Sequence, residues 1–482
     1  MQLKKEAVAN ALQGGMKKIL VLLLLMLLGV ACKQEPQAVI IPKNLIKTFS
    51  PEMAENAVMY QVHIRNYSPE GTFNAFTQDI PKLKKLGVKI IYLMPVQEIG
   101  LENRKAGRKL LAAQLKDSVL QKKIMGNPYA LKDYRSIQAS YGLADDLKKL
   151  IATAHHHQMY VIMDWVANHT AWDHAWVKKH PDFYVKGNEG LMQSPYDWRD
   201  VVQLNYTKPA VHYAMIEEMR YWLKNYQLDG FRCQVAGEVP TQFWERAQAE
   251  LQKVRPIFML AEAEKPSLLK KAFDAQYAWE GHYILNNIAQ GKMSVKELDT
   301  YLQNLQATHL PESIFLNFIS TSEENSWNGS EYERMGDAVE VMTALTYMIN
   351  GMPLIYNGQE YDMDKRLRPY QKDTVPHTLG NMWGVYEKLG QLKTTHPALH
   401  SGQNASTYTR IKTSDDNHII AFERVKKGKK LLFVANLSKE EKIVALNKKG
   451  AYRDYMTGEV IQINDNQSLN LKSWAYKILV NQ

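Results

Sequence analysis

Short apolar runs alternate with amphipathic segments along most of this chain, and this alternation constrains its fold most. After residue 50, an apolar run such as VKIIYLMPV (88–96) is followed by helical patterns at 145–157 and 210–226. Strands and helices that alternate at this spacing are typical of parallel βαβ units. Because α/β barrels often exceed roughly 250 residues as one unit, the sequence predicts an α/β fold, a (β/α)8 barrel over residues 51–394.

The pattern changes from about residue 395 to short runs in which apolar and polar residues alternate. Examples are HIIAFERV (418–425) and KLLFVANL (430–437). Alternation with a period of two is typical of half-buried antiparallel strands. Several such runs, separated by turn residues, predict a C-terminal antiparallel β-sandwich over residues 395–482.

The N-terminus has the features of a secretory signal. Met16 is followed by two lysines, about 13 apolar residues and Cys32. So short an apolar stretch cannot cross a hydrocarbon core of about 30 Å. We expect a signal peptide at 1–31, with Met16 as the true start, and a bacterial lipoprotein diacylated at Cys32. The lipid would hold the chain on a membrane of the cell envelope through a tether at 32–50, and a short membrane anchor is the alternative.

The charge of the chain argues against a nucleic-acid partner. The formal net charge is +10 over 482 residues, and the lysines recur singly instead of forming a basic stripe. One denser stretch, 104–123, is predicted as a helical insertion of mixed charge. A solvated helix is the plain interpretation. A lid or a contact with a partner is the alternative, because loops after barrel strands surround the active face.

A series of segments resembles, in order, the barrel strands of glycoside hydrolase family thirteen, the α-amylase family. VIMDWVANHT (161–170) matches that family's D-x-x-x-N-H motif, LDGFRCQVAGEVP (228–240) is similar to G-F-R-x-D-x-A, and IFMLAEAEKP (257–266) resembles the fifth strand. Further matching segments are 58–73, 88–100, 126–134, 318–329 and 352–366. The resemblance implies a TIM barrel, a small excursion at 170–207 beside the cleft, and α-glucans (starch or maltooligosaccharides) as ligands.

The resemblance also places the catalytic groups. Glu262 aligns with the general acid/base, and Gln234 aligns with the aspartate that attacks the sugar, two residues after Arg232. Retaining glycosidases need two carboxyl groups about 5–5.5 Å apart. An amide is neutral and a far poorer nucleophile than a carboxylate. Gln234 therefore indicates a degenerate nucleophile position, at which retaining hydrolysis is lost or strongly impaired.

Two further changes fall on the same part of the site. In FISTSEENSWNG (318–329), Ser322 replaces the family's histidine and Glu323 replaces the aspartate that stabilises the transition state. One extra methylene moves a carboxylate beyond the ~0.5 Å tolerance of a catalytic constellation. A nucleophile lost at random would not take its two helpers with it. The three changes together therefore favour loss of selection for hydrolysis.

Most of the groups that hold the sugar in the family persist at matching positions, and Ser322 is the exception. Tyr129 is the predicted stacking platform for a sugar ring. Trp165 and Trp327 are instead predicted to belong to the core, because they lie on or next to strands. The remaining substrate-binding positions implied by the resemblance are Asp164, His169, Arg232 and Ser322.

Calcium is a possible cofactor only. Asn168 matches a calcium ligand of the family, and hard cations prefer oxygen ligands. The family often supplies a second ligand from an aspartate, where this chain has Gln203. A neutral amide oxygen would lower the affinity for the ion.

These observations leave three functions open. The first is a lipoprotein that binds α-glucans with little or no turnover, a pseudoenzyme. The second is an active hydrolase with rearranged carboxylates, in which Glu323 activates water opposite Glu262 across ~6.5–9.5 Å. The third is a non-catalytic scaffold whose barrel face binds a protein. Glucan binding without turnover favours the first, glucan hydrolysis abolished by Glu262→Gln favours the second, and absence of glucan binding favours the third.

Overall fold

Eight parallel strands close into a barrel in the computed structural model, which describes residues 48–464 and 468–481. The strands of this part of the chain are β1 (Val58–Val62), β2 (Val88–Leu93), β3 (Tyr160–Trp165), β4 (His169–Ala171), β5 (Val201–Gln203), β6 (Gly230–Cys233), β7 (Phe258–Ala261), β8 (Ala275–Tyr277), β9 (Ile314–Asn317) and β10 (Met352–Tyr356). Around the barrel they follow the order β1-β2-β3-β6-β7-β8-β9-β10, and β10 pairs with β1. The predicted (β/α)8 barrel is confirmed.

Helices connect the barrel strands and cover them from outside. In chain order they are α1 (Pro51–Ala54), α2 (Ile64–Tyr67), α3 (Phe73–Leu83), α4 (Ser118–Lys123), α5 (Ala144–His156), α6 (Ala175–Lys179), α7 (Pro209–Tyr226), α8 (Thr241–Gln252), α9 (Trp279–Ala289), α10 (Val295–Thr308), α11 (Ser322–Trp327), α12 (Glu331–Met335), α13 (Val339–Met348) and α14 (Asn381–Thr395). Strands such as β1 and β3 are buried at every residue, because helices cover one face and the barrel interior covers the other.

The predicted excursion after β3 is held by a small ribbon. β4 pairs antiparallel with β5, so that His169 lies opposite Gln203 and Ala171 opposite Val201. The intervening residues therefore leave the barrel and return to its rim beside β3. This places the end of the excursion next to the carboxyl ends of the barrel strands.

The stretch 104–123 differs from the prediction of one long helix. Only α4 and a 3-10 turn at Ala112–Gln114 are helical. Elsewhere the segment folds back on itself, since Lys105 and Leu111 form an isolated antiparallel bridge and Ala112 N donates to Arg104 O at 2.7 Å. Contacts with the rest of the protein outweigh the local helical preference here.

The C-terminal strands form two antiparallel layers. They are β11 (Thr407–Arg410), β12 (Ile419–Lys426), β13 (Lys429–Asn436), β14 (Lys442–Ala445), β15 (Gly450–Asp454), β16 (Val460–Ile463), β17 (Ser468–Leu471) and β18 (Tyr476–Asn481). Six of them form a sheet in the order β11-β12-β13-β18-β15-β16, and β14 pairs with β17. Val444 and Leu471 of this ribbon share a core with Leu432 and Leu479 of the sheet. The predicted β-sandwich is confirmed.

The N-terminal predictions fall outside the described residues. These are the signal peptide at 1–31, lipidation at Cys32 and the tether up to residue 47. Within the ranges 48–464 and 468–481, no helix is both long and apolar enough to cross a membrane.

Barrel closure brings α14 against the turn that precedes β2. Gly87 ends a 3-10 turn, Lys84–Leu86, with φ 73°. A Cβ on Gly390 of α14 would lie 1.9 Å from Leu86 O. The two backbones therefore approach more closely than any side chain allows.

Gly390→Ala is expected to destabilise the protein by about 1–3 kcal/mol, the usual effect of overpacking, through this collision with Leu86 O. Gly384→Ala is the matched control on the same helix, because its Cβ would meet nothing within 4 Å. The control should gain up to about 1 kcal/mol from helix propensity. Urea unfolding of both variants measures the difference, and equal stabilities would contradict the close approach.

Candidate active site

The predicted catalytic positions meet at the carboxyl ends of adjacent strands. Asp164 on β3 lies opposite Arg232 on β6, and Gln234 and Glu262 directly follow β6 and β7. Active sites of (β/α)8 barrels lie at this face of the barrel. The strand register therefore positions all four side chains in one place.

The guanidinium of Arg232 connects these groups. It is fully buried and donates from Nη1 to both oxygens of Asp164 at 2.9 and 3.1 Å, from Nη2 to Glu262, and from Nε to the Tyr277 hydroxyl at 3.2 Å. The rings of Tyr92 and Tyr277 lie 5.5 and 5.3 Å from its central carbon. A buried charge needs such partners because isolation from water is costly.

Glu262 is held at both oxygens. Oε1 accepts from Arg232, and Oε2 accepts from the backbone N–H of Val235 at 2.7 Å. Burial raises the pKa of Glu262 to about 7, against the opposing effect of Arg232. The carboxyl group is therefore divided between its two protonation states near neutral pH.

Gln234, at the predicted nucleophile position, is a neutral amide. Its N–H donates to Trp165 O at 3.0 Å, while its side chain lines the cavity and its buried Oε1 has no protein partner. Val235 follows with φ 40° and ψ 46°, a left-handed conformation that is strained for a β-branched residue. In this conformation the N–H of Val235 donates to Glu262.

Two hydroxyl groups from different segments fix Glu323, which lies in α11 after β9. The Tyr129 hydroxyl donates to Oε1 at 2.6 Å, and the Ser322 hydroxyl donates to Oε2 at 2.7 Å. Gln61 on β1 in turn donates to Ser322 Oγ at 3.3 Å. The two O–H donors hold the carboxyl group of Glu323 in one orientation. The four residues are therefore coupled in one hydrogen-bond network.

His169 lines the cavity as a neutral imidazole, since burial lowers its pKa to about 4. A calcium ion at the neighbouring Asn168 stays a prediction. The amide nitrogen of Asn168 faces His169 Nδ1 at 3.4 Å, and its backbone oxygen accepts from Leu204 N. Across the described part of the chain, no group of three or more His, Cys, Asp and Glu side chains could hold a metal.

These residues surround a cavity of about 580 Å³ with aromatic walls. Sequence-predicted positions that line it are Tyr129, His169, Gln234, Glu262, Ser322 and Glu323. Asp164 and Arg232 are fully buried beneath the cavity and pair with each other. Contact of these two residues with a substrate stays a prediction. Trp165 is core, as expected. Trp327 was expected in the core but lines the cavity, because α11 turns it toward Tyr370, with ring centroids 5.7 Å apart.

The sequence profile described as "Alpha amylase, catalytic domain" matches residues 49–418. The chain belongs to the α-amylase family. Alpha-amylase MalA of Haloarcula japonica is 21% identical over 425 residues, covering 85% of this chain. This chain spans only 59% of that relative. The maltogenic alpha-amylase of Bacillus acidopullulyticus is 23% identical over 493 residues, covering 89% of this chain and 78% of that enzyme.

Solved structures of the α-amylase family share the whole architecture. The noncanonic maltogenic alpha-amylase AmyB from Thermotoga neapolitana has a TM-score of 0.78 and 25% identity, covering 88% of this chain and 98% of that one. The comparison extends over the barrel and the C-terminal sandwich. The sequence-based assignment to the α-amylase family is confirmed.

Sequence reasoning missed His63, which lines the cavity of this α-amylase-family chain directly after β1. It is 4% exposed, and its Nε2 has no protein partner. Burial lowers its pKa well below the ordinary value, so that it is neutral. Its only sequence signal was its position at a strand end.

The protonation of Glu262 is testable through stability. The folded-state pKa of about 7 exceeds the ordinary 4.5, so stability from the protonated carboxyl is full below pH 4.5 and is lost as the pH rises through about 7. The free energy of unfolding of wild type relative to Glu262→Gln should fall across this window. Urea titrations at pH steps from 4 to 8, on the order of one unit apart, measure it, and a constant difference would contradict the raised pKa.

Proposed function

We propose that this chain binds α-glucans in the cavity and that retaining hydrolysis is lost or strongly impaired. The observation that carries the proposal is Gln234, a neutral amide at the nucleophile position whose buried Oε1 lacks a protein partner. A carboxylate is required there to bond covalently to the sugar. A sugar hydroxyl would instead donate to the amide oxygen.

The contacts of Glu262 also oppose hydrolysis. A general acid must present its proton to the leaving oxygen. Both oxygens of Glu262 accept hydrogen bonds from the protein, one from Arg232 and one from Val235 N. An aspartate at position 234 would compete for the Arg232 guanidinium. Without it, Arg232 pairs with Asp164 and Glu262 alone, so the guanidinium stays bound to one oxygen of Glu262.

Glucan binding depends less on these groups. Ligand sites combine apolar or aromatic walls with a few directed polar atoms. The cavity provides aromatic rings from four separate segments, namely Tyr129, Trp198, Trp327 and Tyr370. It adds three buried polar atoms without protein partners, Gln234 Oε1, His63 Nε2 and His169 Nε2. A chain of sugars offers apolar faces and hydroxyls that match both.

The alternative of an inverting hydrolase has one supporting observation. Glu262 and Glu323 line the same cavity, and the pKa of Glu262 suits an acid that works near neutral pH. Glu323, however, accepts from Tyr129 and Ser322 at its two oxygens. A water that Glu323 activates would have to compete with these two hydroxyl donors, so the binding function is favoured.

We expect full-length protein, in a detergent without a sugar headgroup, to bind maltoheptaose with millimolar to micromolar affinity and to release almost no reducing sugar. Tyr129→Ala should weaken binding by about 1–3 kcal/mol, by analogy with base–aromatic stacking. Tyr129→Phe is the matched control, because it keeps the ring and removes only the hydroxyl bound to Glu323. Calorimetry and a reducing-sugar assay measure both properties.

Two results would decide against the proposal. Turnover of roughly a few per second on a soluble glucan, a rate in the ordinary enzyme range, would establish a hydrolase, and its loss in Glu262→Gln would identify the acid. No binding heat at millimolar glucan would instead favour a scaffold for a protein partner.

We also propose that the mature chain is a bacterial lipoprotein of the cell envelope, anchored through Cys32. The two lysines, the short apolar stretch and Cys32 support this. Labelled palmitate should be incorporated into the expressed chain and lost in Cys32→Ser. Cys233→Ser is the control, since Cys233 is a buried residue of β6. Equal labelling of Cys32→Ser and wild type would exclude lipid at Cys32.

A further inference from the structure

Residues 101–125, between β2 and the loop that carries Tyr129, form an irregular segment at the mouth of the cavity; we call it the strap. Lys105, Arg108 and Lys109 of the strap line the cavity. The strap is therefore a wall of the candidate site, and its attachments determine from which directions a ligand enters.

One attachment ties the strap to the excursion after β3. Lys105 Nζ lies 3.2 Å from Asp200 Oδ1, with the two side chains 10% and 1% exposed. Asp200 also accepts from Asn127 Nδ2 at 2.9 Å, and Asn127 Oδ1 accepts from Tyr129 N at 3.1 Å. Separating the partners of a buried, hydrogen-bonded ion pair costs much free energy, because a charge would then stay buried without its partner. This end of the strap is fixed beside the sugar platform.

The second attachment lies on the opposite rim, on segments that follow β9 and β10. The Arg108 guanidinium lies 5.1 Å from the Trp327 ring centre. Met125 N and Gly126 N both donate to Tyr370 O, at 2.8 and 3.2 Å. Ala112 and Ile124 of the strap form a small apolar cluster with Tyr370. Aromatic, backbone and apolar contacts thus hold this end.

The barrel order shows what the strap spans. Asp200 belongs to the excursion that returns beside β3, whereas Trp327 and Tyr370 follow β9 and β10. β1 and β2 lie between these strands around the barrel. The strap therefore bridges the rim above β1 and β2, while Gln234 and Glu262 line the cavity from β6 and β7. A glucan that extended out of the cavity at both ends would have to cross the bridged side.

We propose that the strap closes this side of the cavity, so that the site takes the free end of a linear α-glucan and not an internal segment of a polymer. The proposal rests on the glucan-binding function. Short maltooligosaccharides and chain ends are then the ligand class. Arg108 and Lys109 are the strap's donors to the terminal hydroxyls, since both cations line the cavity and carry several N–H groups.

The test compares two ligands with the same number of glucose residues on full-length protein: linear maltoheptaose and its cyclic counterpart, β-cyclodextrin, which has no chain end. Calorimetry in a detergent without a sugar headgroup should show the linear ligand binding at least about tenfold more tightly. Equal affinity, or preference for the ring, would overturn the proposal and leave glucan binding intact. Absence of binding to both ligands would overturn the proposed function and this inference together.

A variant tests whether the strap causes the selectivity. Lys105→Ala with Arg108→Ala removes one contact at each end, and the ratio of linear to cyclic affinity should fall severalfold. The control is Lys116→Ala with Lys122→Ala, two exposed lysines of the same strap, which should keep the wild-type ratio. An unchanged ratio in the first variant, with a wild-type melting temperature, would contradict the assigned cause. The wild-type comparison stands even if that variant fails to fold.

Discussion

The buried guanidinium of Arg232 is the interaction on which the geometry of this site depends. It contacts Asp164 on β3, Glu262 after β7 and Tyr277 on β8, while Tyr92 on β2 donates to Asp164 at 2.6 Å. A single cation thus connects five barrel strands, counting its own β6. Because each of these polar groups would be costly to bury alone, the network holds the strand ends in register whether or not the site is catalytic.

The same network explains how the barrel tolerates a glutamine at the nucleophile position. An aspartate at 234 would add a third carboxyl group where one guanidinium already faces two, and like charges at such a site raise each other's pKa. A glutamine at 234 avoids that repulsion, and Arg232 then pairs only with the carboxyl groups of Asp164 and Glu262. Catalytic sites often hold arrangements that cost stability, and losing the function relieves the cost. Glutamine at position 234 therefore leaves this buried group of side chains better balanced in charge than aspartate would.

The sequence predicted whatever depends on strand order and register. Alternating segments predicted the barrel, and motif positions brought Arg232, Gln234 and Glu262 to neighbouring strand ends. What it could not predict depends on contacts between distant residues. The Tyr129–Glu323 hydrogen bond joins residues 194 apart in the chain, and no local pattern encodes it. The mixed charge of 104–123 indicated a helix. The ion pair of Lys105 with Asp200 joins residues far apart in the chain, so nothing in the segment itself signals it. Trp327 looked like core for the same reason.

The strap limits how a glucan could enter the proposed site, and Gln234 limits what chemistry the site could perform. Only some functions are compatible with both. An enzyme that cuts within a polymer needs a groove open at both ends, since both products must leave. A site that binds a chain end needs a single entrance, and enclosing the ligand slows its dissociation, which is how most tight complexes gain affinity. Blocking one side therefore costs a binding protein little. With the proposed anchor at Cys32 and the proposed loss of hydrolysis, such a site would retain short glucans at the membrane and leave them intact.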